Sequence, residues 1–400
     1  MLRYRATAAS TLTRPHGNGC TTTASIIRSG PRDQLGNALI RFDNVDKVYA
    51  DGTTAVDQLS LEVADGMLTV FVGPSGCGKT TALRMINRMV EPSSGTVTVN
   101  GTDVSTVNPV KLRLGIGYVI QNAGLMPHQR VIDNVATVPV LKGQSRRAAR
   151  KAAYEVLERV GLNPKVASRY PAQLSGGEQQ RVGVARALAA DPPILLMDEA
   201  FSAVDPVVRH DLQNEILRLQ SDLHKTIVFV THDIDEAFKL GEVVAVFAPG
   251  GRLQQCDQPA RLLARPANEF VSKFIGLGRG YRLLQLFDGA GLELHDLERI
   301  CVSSLGRSQL PDGWALVVSD DDVPVGWIDA DGLRRHRDGA TLPDAMTVVG
   351  AVFRPNGNLS QALDAALSSP SSMGVAVDDG GKVIGGVLAD DVLSALKSRR

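Results

Sequence analysis

A glycine-rich run after a strand-like apolar segment is the first place where residue types and spacing predict chemistry. The run is Gly73-Pro74-Ser75-Gly76-Cys77-Gly78-Lys79-Thr80-Thr81. Glycines let successive backbone N–H groups turn inward onto phosphate oxygens, and the positive end of a following helix adds to the attraction. In this pattern Lys79 would reach the β- and γ-phosphates, and the Thr80 hydroxyl would bind Mg²⁺. The run therefore predicts a site for ATP and its magnesium ion.

Two adjacent carboxylates end a second apolar segment, Ile194-Leu195-Leu196-Met197-Asp198-Glu199. Asp198 is placed to hold the Mg²⁺ shell, directly or through water. Glu199 can polarise a water molecule aimed at the γ-phosphorus. By itself, an apolar strand ending in Asp-Glu is usually only a strand that reaches solvent. Its occurrence together with the glycine run is what predicts hydrolysis.

A third run, Leu174-Ser175-Gly176-Gly177-Glu178-Gln179-Gln180-Arg181, predicts a second anion site. Ser175, Gly176, Gly177 and Glu178 stand where a helix begins, and a helix N-terminus attracts negative charge. A single ATP does not need two such loops in one subunit. The second loop is explained if it faces a nucleotide that another subunit holds.

Apolar periodicity predicts the elements that position these runs. Leu68–Val72 is a strand and Ala82–Val90 a helix, so the glycine run has the strand–loop–helix context of a phosphate-binding loop. Alternating strands and helices from about 68 to 248 predict an α/β core with a mainly parallel sheet, and a mostly helical insertion spans about 122–190. The other predicted elements are strands Ile40–Val48, Leu59–Val63, Gly95–Val99, Pro193–Met197, Thr226–Val230 and Glu242–Phe247 and helices Arg146–Val160 and Asp211–Leu223.

Composition disfavours several classes of protein. Lys+Arg and Asp+Glu both number 43 in the 400 residues, so we expect no nucleic-acid partner. The four scattered cysteines favour a reduced, cytosolic setting, and the apolar runs are too short to span a bilayer. Residues 1–38 are basic, Ser-rich and acid-poor, as in a transit peptide. We prefer a disordered leader or a misassigned start, and assign these residues no function.

Together the three runs resemble the ABC ATPases, P-loop NTPases with a RecA-like core and a helical subdomain. The run at Ser175 is the signature of that family, and the resemblance extends from about Ile40 to Gly276. It implies an ATPase domain at 39–276 with the helical subdomain at about 122–190. It also implies roles for four further residues: Tyr49 would stack on adenine, Gln121 would sense Mg²⁺ and the γ-phosphate, Asp205 would lie in the loop that crosses to the partner subunit, and His232 would contact the γ-phosphate.

The resemblance implies a head-to-tail homodimer. Each ATP would lie between the Lys79 loop of one subunit and the Ser175 loop of the other, and hydrolysis would loosen the dimer. The motion would pass to membrane permease subunits through the residues near Gln121–Val131. The chain departs from the family at two positions. Ala200 replaces the Pro usual in importers, so we expect a looser turn with hydrolysis retained, and Val204 replaces a usual Leu at little change in volume.

Within the family, longer runs resemble the ATPases of quaternary-amine uptake systems. They are Met85-Ile86-Asn87-Arg88-Met89, Ile116-Gly117-Tyr118-Val119-Ile120-Gln121-Asn122, Asn134-Val135-Ala136-Thr137-Val138-Pro139 and Thr231-His232-Asp233-Ile234-Asp235-Glu236-Ala237-Phe238. The resemblance implies uptake of glycine betaine, proline betaine, choline or carnitine, with an extracytoplasmic solute-binding protein and a peripheral location on the cytoplasmic face of the membrane.

Two other functions stay open. One is an importer ATPase for another solute, such as an amino acid, a polyamine or an anion, and such proteins more often carry a different C-terminal domain or none. The other belongs to a different class, a soluble ABC ATPase that acts on ribosomes or DNA. The latter proteins usually have two cassettes or a long coiled-coil insertion, and this chain has one cassette and no such heptads.

The last 120 residues differ from the rest and contain a weak repeat. Residues 281–400 hold 11 Lys+Arg against 17 Asp+Glu, which gives a net charge of −6. The segment from Leu316 echoes the segment from Val375, each reading as strand, turn, strand and a helix start. This tail resembles a pair of CBS modules, an α+β tandem whose first copy is degenerate and whose second spans about 344–396. An adenine nucleotide is one candidate ligand, and plain packing or dimer bracing is the alternative.

Overall fold

The computed structural model describes residues 38–121, 123–202, 204–309 and 311–399. The predicted leader lies outside the described residues except for Ala38, which begins the first strand. Strands of the first part of the chain are, in order, β1 (Ala38–Val48), β2 (Thr54–Ala64), β3 (Leu68–Val72), β4 (Ser94–Val99), β5 (Thr102–Asp103), β6 (Ile116–Val119), β7 (Ile194–Asp198), β8 (Thr226–Thr231), β9 (Val243–Ala248) and β10 (Arg252–Asp257).

A six-stranded sheet in the order β10-β9-β3-β8-β7-β6 forms the centre of this part. Strands β9, β3, β8, β7 and β6 are parallel, and β10 adds an antiparallel edge. Every residue of β3, β7, β8 and β9 is buried, as expected where helices cover both faces of a parallel sheet. The predicted α/β core with a mainly parallel sheet is therefore confirmed.

An antiparallel sheet in the order β2-β1-β4-β5 packs beside this core. Strands β4 and β5 form a hairpin at Asn100-Gly101, where both residues have positive φ angles of 50° and 71°. A type I′ turn requires that geometry, and Asn-Gly is the sequence that best adopts it. Apolar residues of both sheets, among them Phe42 and Phe71, share one buried cluster.

The helices of the first part surround the parallel sheet. They are α1 (Lys79–Ile86), α2 (Pro109–Leu114), α3 (Val131–Leu141), α4 (Arg146–Arg159), α5 (Gly176–Leu188), α6 (Pro206–Leu223), α7 (Ile234–Leu240), α8 (Pro259–Ala264) and α9 (Glu269–Ile275), with short 3-10 helices at Pro164–Ser168 and Pro171–Gln173. The first helix ends four residues before the predicted Val90, because Arg88 adopts a left-handed φ of 55°. Within the described ranges, no helix combines the length and apolar character needed to cross a membrane.

The C-terminal part has two halves with related strand order. It contains α10 (Arg279–Leu286), β11 (Arg299–Cys301), a 3-10 helix (Val302–Arg307), β12 (Trp314–Val318), β13 (Pro324–Asp329), α11 (Ala330–Arg337), α12 (Leu342–Ala345), β14 (Thr347–Val348), β15 (Val352–Phe353), α13 (Leu359–Leu367), β16 (Met373–Val377), β17 (Val383–Leu388) and α14 (Ala389–Ser398). In each half a short strand runs parallel to the first strand of an antiparallel pair. The first half has a 3-10 helix where the second half has α13.

Apolar contacts join the tail to the first part. Leu283 and Leu284 of α10 are buried in the same cluster as Leu263 of α8 and Leu359 of α13. Arg282 adds an ion pair to Asp235 of α7. Since α7 begins two residues after His232, the tail is attached close to a predicted catalytic residue.

Candidate nucleotide-binding site

The glycine run connects β3 to α1, as the sequence predicts. Gly78 precedes the helix with a φ of 89°, and a Cβ there would lie 1.9 Å from the carbonyl oxygen of Ala55. Gly76 has a φ of 75° with open space beside it. Only glycine adopts these angles without strain, and only glycine allows the close approach to Ala55. The loop geometry thus depends on glycine at both positions.

Lys79 lies inside the loop with only 4% of its surface exposed. Its ammonium donates to the carbonyl oxygens of Gly73 at 2.7 Å and Pro74 at 2.8 Å. The Cys77 sulfur is 3.6 Å away. Burial raises the pKa of the Cys77 thiol despite the nearby lysine charge, so at neutral pH this side chain is a neutral packing group. The only formal charge at the centre of the loop is therefore the positive charge of Lys79.

Thr80 and Asp198 meet where α1 begins and β7 ends. The Thr80 hydroxyl donates to Asp198 Oδ1 at 2.7 Å, and Asp198 is only 6% exposed. The other oxygen, Oδ2, accepts from Tyr118 at 3.2 Å and from Arg84 at 3.3 Å. Neither Tyr118 nor Arg84 belongs to the predicted site. Arg84 could have been noticed, since it stands four residues after Thr80 and so shares its helix face.

This oxygen pair fits a magnesium ion bound mainly through nucleotide phosphates. Mg²⁺ prefers oxygen ligands and usually takes one or two from the protein while keeping several waters. The Thr80 hydroxyl commits its hydrogen to Asp198, which leaves its lone pairs available to a cation. Among the described residues, no group of three or more His, Cys, Asp or Glu side chains could form a metal cage by itself. The chemistry of the donor set therefore suits a metal that arrives with ATP.

Glu199 and His232 lie side by side at the carboxyl ends of β7 and β8. Glu199 Oε1 is 3.5 Å from His232 Nδ1, and the two side chains are 25% and 55% exposed. Glu199 has a left-handed φ of 47°, which is strained for a residue with a side chain. Its N–H donates to the carbonyl oxygen of Val230 at 3.0 Å. A carboxylate beside an imidazole can accept a hydrogen bond from a water molecule and take a proton from that water as it reacts.

Gln121 reaches the same turn from β6. Its amide donates to the Ser202 hydroxyl at 2.9 Å, and that hydroxyl donates to the Glu199 carbonyl oxygen at 2.9 Å. The Ser202 N–H also donates to this oxygen, at 3.2 Å. Ala200, which replaces the family's usual proline, is fully buried. The turn after Glu199 is thus held by Ser202, a residue that the sequence analysis did not list as part of the site.

Ser175 and Glu178 form a capping box at the start of α5. Ser175 Oγ accepts from the Glu178 N–H at 3.2 Å, and Glu178 Oε2 accepts from the Ser175 N–H at 2.8 Å. The space beside Gly176 is open, whereas a Cβ on Gly177 would lie 2.4 Å from Val208 Cγ1 of α6. Gly177 is needed for helix packing, and the exposed Gly176 leaves the backbone accessible from outside.

Tyr49 and Asp205 are both exposed. Tyr49 follows β1, its ring is 42% exposed, and the Lys47 ammonium lies 5.3 Å from the ring centroid. An exposed ring at the loop surface is available to stack on a base. Asp205 precedes α6, and its carbonyl oxygen accepts from the Arg209 N–H at 2.7 Å. Between different predicted runs, the structure brings Thr80 into contact with Asp198 and Glu199 into contact with His232.

Comparisons with known proteins agree with this geometry. Residues 56–202 match the profile of the family described as ABC transporter. The chain is 39% identical to the osmoprotectant import ATP-binding protein OsmV of Salmonella typhimurium, over 90% of this chain and 98% of that protein. It is 40% identical to the choline transport ATP-binding protein OpuBA of Bacillus subtilis, over 79% of this chain and 86% of that protein.

A solved structure gives the same fold for the first part of the chain. It is the dimeric post-hydrolysis state of an ATP-binding cassette bound to ADP and Pi. The match has a TM-score of 0.51 and 32% identity, and it covers 55% of this chain and 98% of the other. The 55% of this chain that the match covers is the share expected for the cassette alone, without residues 281–400.

Proposed function

Because this chain belongs to the ABC transporter ATP-binding family, we propose that it energises the uptake of quaternary-amine osmoprotectants through a separate permease. The solutes would be glycine betaine, proline betaine, choline or carnitine. One observation carries the solute class: the match to the osmoprotectant import protein covers 98% of that relative, and therefore includes its C-terminal part. A likeness confined to the cassette would not distinguish an osmoprotectant importer from one for an amino acid or a polyamine.

The positions of the side chains support ATP hydrolysis at this site. Lys79 provides the positive charge inside the loop and would bind the β- and γ-phosphates. Glu199 would hold the attacking water, and His232 beside it would contact the γ-phosphate. Thr80 and Asp198, with Gln121 nearby, would hold Mg²⁺, which neutralises phosphate charge when bound. The backbone of Glu199 is hydrogen-bonded on both sides, which fixes the point from which its side chain extends.

The open face at Gly176 supports a head-to-tail homodimer. A loop with free backbone N–H groups at a helix start attracts a phosphate, and the nucleotide of a second subunit would supply it. The solved cassette that this chain resembles is a dimer. We further propose membrane permease subunits and an extracytoplasmic solute-binding protein as partners. The chain would then be peripheral, at the cytoplasmic face of the membrane.

For residues 281–400 we propose a CBS-like pair with an adenine nucleotide as candidate ligand. A groove of about 560 Å³ in the second half supports a ligand, since it is lined by Arg354, Asn356, Gln361 and Asp364. Equilibrium dialysis with labelled ATP separates the alternatives. Two sites per chain support tail binding, whereas one site per chain leaves packing as the role of the tail.

Uptake of labelled glycine betaine at high osmolarity tests the proposed function. Strains would carry the wild-type chain, Glu199→Gln, or no copy of the gene. Glu199→Gln should bind ATP with unchanged affinity and lose most hydrolysis, because the amide cannot accept a proton. We expect uptake to require the gene and to fail with Glu199→Gln. Purified protein with full turnover after this substitution would refute the role of Glu199, and an unchanged uptake in all three strains would count against the solute class.

A further inference from the structure

The Asp198 carboxylate has a partner that the family pattern does not explain. We propose that Tyr118 is a positioning residue for ATP hydrolysis, whose phenol orients Asp198 so that Oδ1 faces Thr80 and the metal. The Tyr118 hydroxyl is 3.2 Å from Oδ2, and the Thr80 hydroxyl is 2.7 Å from Oδ1. The two oxygens of one carboxylate therefore have separate tasks. This inference rests on the proposed role of Asp198 in holding Mg²⁺.

Chemistry fixes the direction of every hydrogen bond in this group. Arg84 Nε lies 3.3 Å from the Tyr118 oxygen, and a guanidinium can only donate. The phenol therefore accepts from Arg84. An ionised carboxylate can only accept, so the single phenol hydrogen goes to Asp198 Oδ2. Arg84 thus fixes the direction in which the Tyr118 hydroxyl donates, and that direction is towards Asp198.

The position of Tyr118 in the fold makes it the more rigid of the two partners of Oδ2. Tyr118 lies on β6, which pairs with β7, the strand that ends in Asp198. Its ring packs against the buried apolar cluster beneath the antiparallel sheet. The Arg84 side chain is 45% exposed, and its contact to Oδ2 is 3.3 Å long. A long, exposed arginine loses more rotamer freedom when it is held, so the tyrosine sets the carboxylate plane.

Loss of the phenol hydroxyl should therefore affect the metal more than the nucleotide. Residues that orient metal ligands through hydrogen bonds typically change metal affinity roughly 10- to 100-fold when they are removed. Tyr118→Phe keeps the ring and its packing and removes only the hydroxyl. We expect it to raise the Mg²⁺ concentration for half-maximal ATP hydrolysis about tenfold. Saturating Mg²⁺ should restore most of the turnover.

The experiment titrates Mg²⁺ against both hydrolysis and binding of a fluorescent ATP analogue. Tyr154→Phe is the matched control, since Tyr154 lies exposed on α4. In EDTA, both variants should bind the analogue like the wild type, and with limiting Mg²⁺ only Tyr118→Phe should bind it more weakly. A lower melting temperature with an unchanged Mg²⁺ midpoint would show a merely structural role and overturn the inference.

Asp198→Asn distinguishes this inference from the role on which it rests. A large shift of the Mg²⁺ midpoint in Asp198→Asn, together with a smaller shift in Tyr118→Phe, supports both. If Asp198→Asn shifts the midpoint and Tyr118→Phe does not, Asp198 holds the metal without help from Tyr118. If neither variant shifts it, Asp198 is not the magnesium carboxylate, and the assignment in the proposed function fails as well.

Discussion

Arg282 connects the tail to the first part of the chain, and its removal should loosen that junction measurably. Its guanidinium donates to both carboxylate oxygens of Asp235, at 2.5 Å and 3.3 Å. It also donates to the carbonyl oxygens of Ile275 at 2.6 Å and Leu277 at 3.1 Å. Arg282 is mostly buried, with 17% of its side chain exposed. These contacts join α10 to α7 and to the end of α9.

The four bonds differ in strength. A hydrogen bond from a charged donor contributes about 1.5 kcal/mol or more, so the two carbonyl bonds give about 3 kcal/mol. Asp235 is 66% exposed, and an ion pair to such a partner adds at most about 1 kcal/mol after solvent screening. Arg282→Ala removes all four bonds, so it should raise the population of the locally open junction by at least about 100-fold, since 1.4 kcal/mol is about tenfold. Asp235→Asn should change it by less than about fivefold.

Native-state hydrogen exchange of the α10 and α7 amides measures this opening directly. Gln285→Ala is the control, because Gln285 is exposed on the same helix. Arg282→Lys should lie between wild type and Arg282→Ala, since an ammonium keeps the charge but cannot reach four acceptors in a fork. Equal exchange rates in Arg282→Ala and Gln285→Ala would refute the reasoning. An effect in Asp235→Asn as large as in Arg282→Ala would show that the ion pair, not the carbonyl bonds, holds the junction.

Two further predictions concern Ser202, in the turn after Glu199, and Glu236, on α7. Ser202→Ala removes the hydroxyl that joins Gln121 to the Glu199 carbonyl oxygen. The kcat for ATP hydrolysis should then fall about tenfold, while the KM for ATP stays nearly constant. A kcat equal to that of the wild type would contradict this prediction. Burial raises the pKa of the Glu236 carboxyl, so the folded state holds that proton more tightly than the unfolded state. Stability should then fall as the pH rises from about 4.5 through the folded pKa, and Glu236→Gln should gain in melting temperature relative to wild type over that range. A difference between the two proteins that is constant with pH would exclude this role for Glu236.

Much of the fold follows from local sequence patterns. The buried strands β3, β7 and β8 are continuous apolar runs, and each was predicted to within one residue at either end. The hairpin at Asn100-Gly101 follows from the conformation that this pair prefers. The helix boundary at Ile86 was missed, because Arg88 adopts a left-handed conformation that its side chain does not favour. Tertiary contacts, such as the Arg88 guanidinium donating to the Val107 carbonyl oxygen, determine that end.

The candidate site shows a similar division. Motif spacing predicts site residues at the ends of strands, such as Asp198, Glu199 and His232, because each of them belongs to a short local pattern. Spacing did not identify Tyr118 or Ser202 as parts of the site, because their roles depend on partners about 80 positions away in the sequence. A tyrosine in an apolar strand is usually a packing residue, and nothing local shows that its hydroxyl meets a carboxylate. Such partners become visible only when the parallel strands are placed side by side.

Contacts of the Glu199 backbone connect the predicted catalytic side chains to the turn after β7 and, through α7, to the tail. Its N–H is bonded to Val230, two residues before His232, and its carbonyl oxygen is bonded to Ser202. A shift of β8 therefore moves Glu199 and His232 together. The helix α7 continues from His232 and is held by Arg282 of the tail. One short helix therefore lies between the α10 contact at Asp235 and the predicted catalytic pair, Glu199 and His232.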